Sequence, residues 1–136
     1  MATTEAAVLA RVQDVLVDLN FVEAAWPDFS KTPTGVTDGA FALELTGQTP
    51  IGQIGYFEEV RATLQMQWLR QVNGNLITVR DQMLTDSRSI VSAVVRDGTT
   101  GDYAVEDAGR GLRVEFPDAS YAKATLRVPI NFEAAL

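Results

Sequence analysis

The chain contains no histidine and no cysteine. Without cysteine there can be no disulfide, no thiolate metal site and no cysteine nucleophile. Without histidine the commonest general acid–base group, the commonest metal ligand and the Ser-His-Asp arrangement are gone as well. Cationic side chains are scarce: 11 lysines and arginines, of which only Lys31 and Lys123 are lysines, stand against 18 acidic residues and leave a net charge of −7. Nucleic-acid binders present a basic patch, and so few scattered cations do not make one. An acidic balance keeps a protein soluble. It also repels DNA, which suits a channel that DNA slides through without sticking. Long hydrophobic runs are missing too, and with no stretch of 18 apolar residues a transmembrane helix is not expected. The opening Met1-Ala2-Thr3-Thr4-Glu5 lacks the basic region of a secretory signal, so a cytoplasmic site of synthesis is expected.

Positive signs of chemistry are equally thin. The glycine-rich segment Gly47–Gly55 is not followed by a lysine and does not open a helix, so it fails as a phosphate loop. Glu58 and Glu59 are neighbours on a strand and point to opposite faces. Asp81 and Asp86 lie about 140° apart around a helix axis, too far for a tight pair. Asp102, Glu106 and Asp107 lack the loop of a calcium site. Each carboxylate therefore reads as a solvated surface group. No catalytic residue, cofactor site or metal site is assigned, and the chain is not expected to be an enzyme.

What the sequence does contain is shape. Two runs alternate apolar and polar residues for about 11 residues, or ~37 Å, each. In Glu58–Trp68, Val60, Ala62, Leu64, Met66 and Trp68 fall on one face. In Ala122–Phe132, Ala122, Ala124, Leu126, Val128, Ile130 and Phe132 do the same. Such alternation predicts strands with one covered face and one polar face. Helical spacing places a first helix over Glu5–Leu19, capped by Thr3 or Thr4 and stopped by Asn20. A second helix is expected over Leu76–Arg96, capped by Asn75, with a weak middle at Thr85–Ser89. Shorter strands are expected at Ala40–Thr46, within Asp102–Asp107 and over Leu112–Phe116. Phe21–Asp38 and the uncharged Gly47–Gly55 read as loops. The expectation is one α+β domain over residues 1–136: a mainly antiparallel sheet with two long strands and two helices packed on one face.

Candidate interface residues come from this pattern. Trp26 and Phe29 are aromatics in a loop, of the kind that enrich interface hot spots or tuck beneath a helix. Ile51 and Ile54 give the uncharged loop the character of a contact arm. Arg61, Gln65 and Arg127 project from the polar strand faces, where the arginines can pair with Glu59 or Glu133 or with a neighbouring subunit.

The order of these features resembles the small tail-terminator and tail-completion proteins of long-tailed bacteriophages, the lambda tail-terminator type above all. It is carried by helix Glu5–Leu19, the Trp26-Pro27 loop, the uncharged segment Gly47–Gly55, and helix Leu76–Arg96 between the strands Glu58–Trp68 and Ala122–Phe132. The resemblance implies a structural virion protein of the head–tail interface, assembled in the host cytoplasm. It implies a homo-oligomeric ring, commonly a hexamer, that caps the tail tube, stops its polymerisation and joins it to the head connector. DNA would traverse the channel without specific binding, and neither cofactor nor membrane would be involved. A head-completion or neck adaptor and a tube subunit share this building style. A small cytoplasmic ligand-binding domain, with a pocket near Trp26 and Trp68, is the reading from another class.

Overall fold

A computed structural model describes residues 3–23, 38–72, 74–99, 103–106, 110–118 and 120–135. Helix α1 covers Glu5–Asp18. Its N-cap is Thr4, whose hydroxyl accepts the Ala7 amide at 3.1 Å. Val8, Val12 and Leu16 form its buried stripe, and Asn20, at φ 70°, turns the chain out of the helix in the left-handed region that asparagine tolerates. Helix α2 covers Leu76–Gly98. Its cap is Asn75, whose Oδ1 accepts from the Ile77 and Thr78 amides at 3.0 and 3.4 Å. Both expected caps are thus in place.

The strands are β1 (Val22–Glu23), β2 (Ala40–Ile54), β3 (Phe57–Gln71), β4 (Ala104–Val105), β5 (Gly111–Asp118) and β6 (Tyr121–Ala135). They form one sheet in the order β1-β2-β3-β6, with β4 and β5 both pairing the far side of β6. Every pairing is antiparallel except the two-residue β1–β2 contact. The fold class is α+β. β3 and β6 run side by side over all 15 residues without a shift in register. Residues that pair across an antiparallel ladder share a face. Even-numbered side chains of β3 therefore meet even-numbered side chains of β6: Leu64 with Val128, Met66 with Leu126, Trp68 with Ala124. These residues join Val8, Val12, Leu16, Met83, Ile90 and Val94 in one core cluster. Leu64 and Met66 are fully buried, each contributing about 1.5–3 kcal/mol relative to exposure.

Three expectations need correction. Gly47–Gly55 is not a loop. β2 continues to Ile54, which makes a third 15-residue strand. The turn is only Gly55-Tyr56, with Ile54 and Phe57 paired across it. Two irregularities let the glycine-rich segment pair: register shifts between Thr46 and Thr49 and between Pro50 and Gly52 each insert one extra residue into β2. Gly47 sits in the first at φ 62°, and Gly55 supplies the positive φ, 60°, that a two-residue hairpin turn needs at its first position. Each bulge flips the alternation, which is why period-two reading lost the strand.

The second correction is that α2 runs unbroken through residues 85–89. Its buried stripe is Val79, Met83, Asp86, Ile90, Val94 and Gly98, so Asp86 lies on the apolar face. The third concerns the polar face of the sheet. Ala40, Ala42, Leu69 and Tyr121 form a second buried cluster there. Around Trp68 and Leu69 the sheet is thus covered on both faces.

Candidate functional site

At the opposite end of the β2–β3 hairpin both faces are open. Residues 47–53 and 55–57 are all exposed, and none carries a charge. Ile51 is 42% exposed, Phe57 40% and Tyr56, at the turn, 87%. β6 backs the β3 side of this arm up to the pair Phe57–Ala135. On its outer side β2 pairs, among the described residues, only with β1 at Ala40 and Phe41. Among the described residues most of β2 is therefore an edge, and edge strands with unpaired amides and carbonyls are templates for other chains. The arm touches the rest of the fold through Gln48, whose amide donates to Glu5 Oε2 at 2.6 Å.

The structure distributes the expected interface residues unevenly. Ile51 stands at the second bulge of the arm and Ile54 ends β2 just before the turn. Arg61 pairs opposite Asn131 and Gln65 opposite Arg127, two rungs of one ladder on the polar face separated by the Thr63–Pro129 rung. Thr49 pairs with Arg61, so the arm runs directly into this polar face. Trp26 and Phe29 lie outside the described residues.

The arginines do not pair as expected with Glu59 or Glu133, which face each other across the ladder. Arg127 Nε donates to Gln65 Oε1 at 3.1 Å. Arg61 reaches Glu106 at 2.9 Å, and Asn131 Nδ2 donates to the same carboxylate oxygen at 2.8 Å. Glu106 is held over the face because its amide bonds the Pro129 carbonyl at 3.0 Å. The Asn131 hydrogen bond, and then Arg61, hold the Glu106 carboxyl below its ordinary range. Periodicity has no means of locating Glu106: it comes from the far side of β6 and from a separate segment.

Sequence reasoning missed two groups. Tyr56 and Phe57 fall between the expected loop and the expected strand, yet they form the exposed tip. Their signal was two aromatics following a turn glycine. The other group is buried. Asp86 accepts from Trp68 Nε1 at 3.0 Å, from Arg70 Nε and the Arg70 amino group Nη2 at 2.8 and 2.9 Å, and from Gln82 at 2.9 Å. Asp38 adds a longer bond to Arg70 at 3.3 Å, and the guanidinium lies 5.0 Å from the centre of the Phe21 ring. The Asp86 hydrogen bonds raise the Arg70 pKa above its ordinary value, so the side chain stays charged. The signal was phase: Arg70 continues the even face of β3 after Trp68, and Asp86 sits between Met83 and Ile90 on the helical stripe.

A cleft of about 470 Å³ opens beside this cluster, between Asp38, Arg70, Gln71 and the first turns of α2. Its polar groups are engaged in holding the fold. Trp68, offered by the sequence as a ligand platform, is 1% exposed and packs edge-on against Phe21 at 6.2 Å between ring centres. Beyond the cleft mouth Leu76 and Ile77 are exposed, 52% and 73%, in the first turn of α2. Leu76 thus lies outside the buried stripe of α2.

Among the described residues no group of three or more acidic side chains is placed to hold a metal ion. Nor is any described helix long and apolar enough to cross a membrane. No protein-family model and no curated protein matches the chain.

Proposed function

We propose that this chain is a structural virion subunit of a long-tailed bacteriophage, a tail terminator that assembles into a ring, caps the tail tube and joins it to the head connector. The observation that carries this reading is the β2–β3 arm: an uncharged, doubly exposed hairpin with Ile51, Tyr56 and Phe57 bare at its end. Exposed apolar side chains grouped on one projecting element mark an interaction site. The open edge of β2 offers a second means of joining copies through main-chain hydrogen bonds.

Two further features support a joining role. Exposed apolar groups occur at both ends of β3, a strand about 48 Å long at ~3.4 Å per residue: the arm tip at one end and Leu76–Ile77 just past the other. A subunit that links two structures needs two separated docking surfaces. The polar face between them sets Arg61 and Arg127 among Thr63 and Gln65 and against the carboxylates of Glu59, Glu106 and Glu133, and the chain as a whole carries −7. Such a surface lines a DNA passage without holding DNA. The resulting localisation is the head–tail interface of the virion, with tube protein and head connector as partners and no cofactor in the ring.

The test has two readouts. Light scattering across a wide concentration range is expected to show an assembly of several subunits. Added to polymerising tail-tube subunits, the protein is expected to limit tube length, and unlimited growth at saturating protein rejects termination. A clean monomer at every concentration rejects the ring and favours the small ligand-binding domain. Assembly without any effect on tube growth leaves the neck-adaptor role as the better account.

A further inference from the structure

The arm cannot bury its tip on its own subunit in this fold. Its turn is level with the Phe57–Ala135 rung, about nine residues or ~31 Å beyond the Met66–Leu126 rung. Near that inner rung, between α2 and the start of β5, lies a second cleft of about 390 Å³. Val91, Leu112 and Leu126 give it an apolar lining, Arg88 and Arg110 stand beside them, and Ser92 lies on the helix side. Both arginines are exposed. In a chain with a net charge of −7, Arg88 and Arg110 place two cationic groups beside an apolar hollow.

The arm has the complementary pattern. Ile51, Tyr56 and Phe57 are its exposed apolar groups, it has no charge of its own, and Glu58 and Glu59 follow at its base. We propose that the arm of one copy docks in the α2–β5 cleft of the next, its aromatic tip on Val91 and Leu112 and one base carboxylate, of Glu58 or Glu59 according to which face of the arm is laid down, toward Arg88 and Arg110. Burial of the rings supplies the attraction, and the opposite charges select the register and disfavour other partners. The contact joins two different surfaces, so repetition by a fixed rotation closes a ring, or runs on as a filament where the rotation does not close. The inference rests on the reading of the chain as a self-assembling subunit and names the two surfaces that meet.

The absence of cysteine makes the test clean. Tyr56→Cys and Ser92→Cys are prepared as separate proteins, both at exposed positions, then mixed and oxidised. The expected product is a covalent dimer holding one of each, identified by peptide mass. Arg88→Glu combined with Arg110→Glu in the Ser92→Cys protein is expected to abolish it. Val22→Cys, on the opposite edge of the sheet, is expected not to cross-link with Ser92→Cys. Each mixture is also sized by light scattering. An assembly in which the 56–92 pair fails to cross-link overturns this docking while leaving the ring intact. A monomer with no cross-link overturns both. Equal cross-linking of positions 22 and 56 to position 92 also overturns it, because the contact is then unspecific.

Discussion

At one end of the β2–β3 hairpin Trp68 and Leu69, on opposite faces, are each 1% exposed; at the other end Tyr56 is 87% exposed and no residue from Gly47 to Phe57 carries a charge. The same two strands form both ends. Near Trp68 the ladder is held from above and below, and a single carboxylate, Asp86, collects four donated hydrogen bonds from three side chains. In the arm the described side-chain bonds are local or lie on the surface, such as Gln48 to Glu5. A buried polar network of this sort fixes one arrangement of helix against sheet, because each member left alone carries a desolvation cost. The arm contributes little burial to the fold it belongs to. Its length and its exposed aromatics are what the proposed docking between copies draws on.

The comparison breaks most readily at Asp86. Asp86→Ala orphans the Trp68 N–H in the core and leaves the Arg70 guanidinium with Asp38 alone. Loss of one partner of a buried pair costs about 3–5 kcal/mol, so the thermal midpoint is expected to fall by roughly 10 °C or more. A fall equivalent to less than about 1 kcal/mol in denaturant titration removes the claim that this cluster holds the fold. An intermediate effect is expected at the cap of α2. Asn75→Ala is expected to cost about 1 kcal/mol, and Asn75→Asp, which keeps an acceptor for the Ile77 and Thr78 amides, is expected to restore most of it. The smallest effect on stability belongs to the arm. Tyr56→Ser is expected to change unfolding free energy by no more than about 0.5 kcal/mol while weakening self-association measured by light scattering. If Tyr56→Ser destabilises the monomer as much as Asp86→Ala does, the arm is part of the core and the contrast fails.

Much of the architecture was legible in the residues. The alternation of Val60 to Trp68 and of Ala122 to Phe132 marked two strands correctly, and Thr4, Asn20 and Asn75 marked helix ends by the side-chain chemistry that caps and stops require. The arm was not legible as a strand because the Gly47 and Ile51 bulges shift the phase twice within a few residues. Pattern reading assumes an unbroken period, so it took a bulged strand for a loop. The uncharged character of that segment was plain, however, and Ile51, expected on a contact arm, is exposed. Tyr56 and Phe57 were overlooked for the same reason: once the turn is misplaced, the residues beside it lose their position.

Local chemistry determined the helix stripes, their caps, the even-face core and the want of histidine and cysteine, since each depends on residue type and on neighbours a few positions away. Only the tertiary structure decided which charges meet. Arg61 finds Glu106, about 45 positions along the chain, and Arg70 finds Asp86 on the helix above it. Ion pairs form between groups that backbone pairing brings within a few ångströms, and the strand order, with β6 inserted between β3 and the β4–β5 side, sets those distances. Among the described residues the same order leaves most of β2 as an edge, and it carries the Gly55-Tyr56 turn away from the α2–β5 cleft. A period in the sequence assigns a side chain to a face; which element lies against that face follows from packing the whole chain at once.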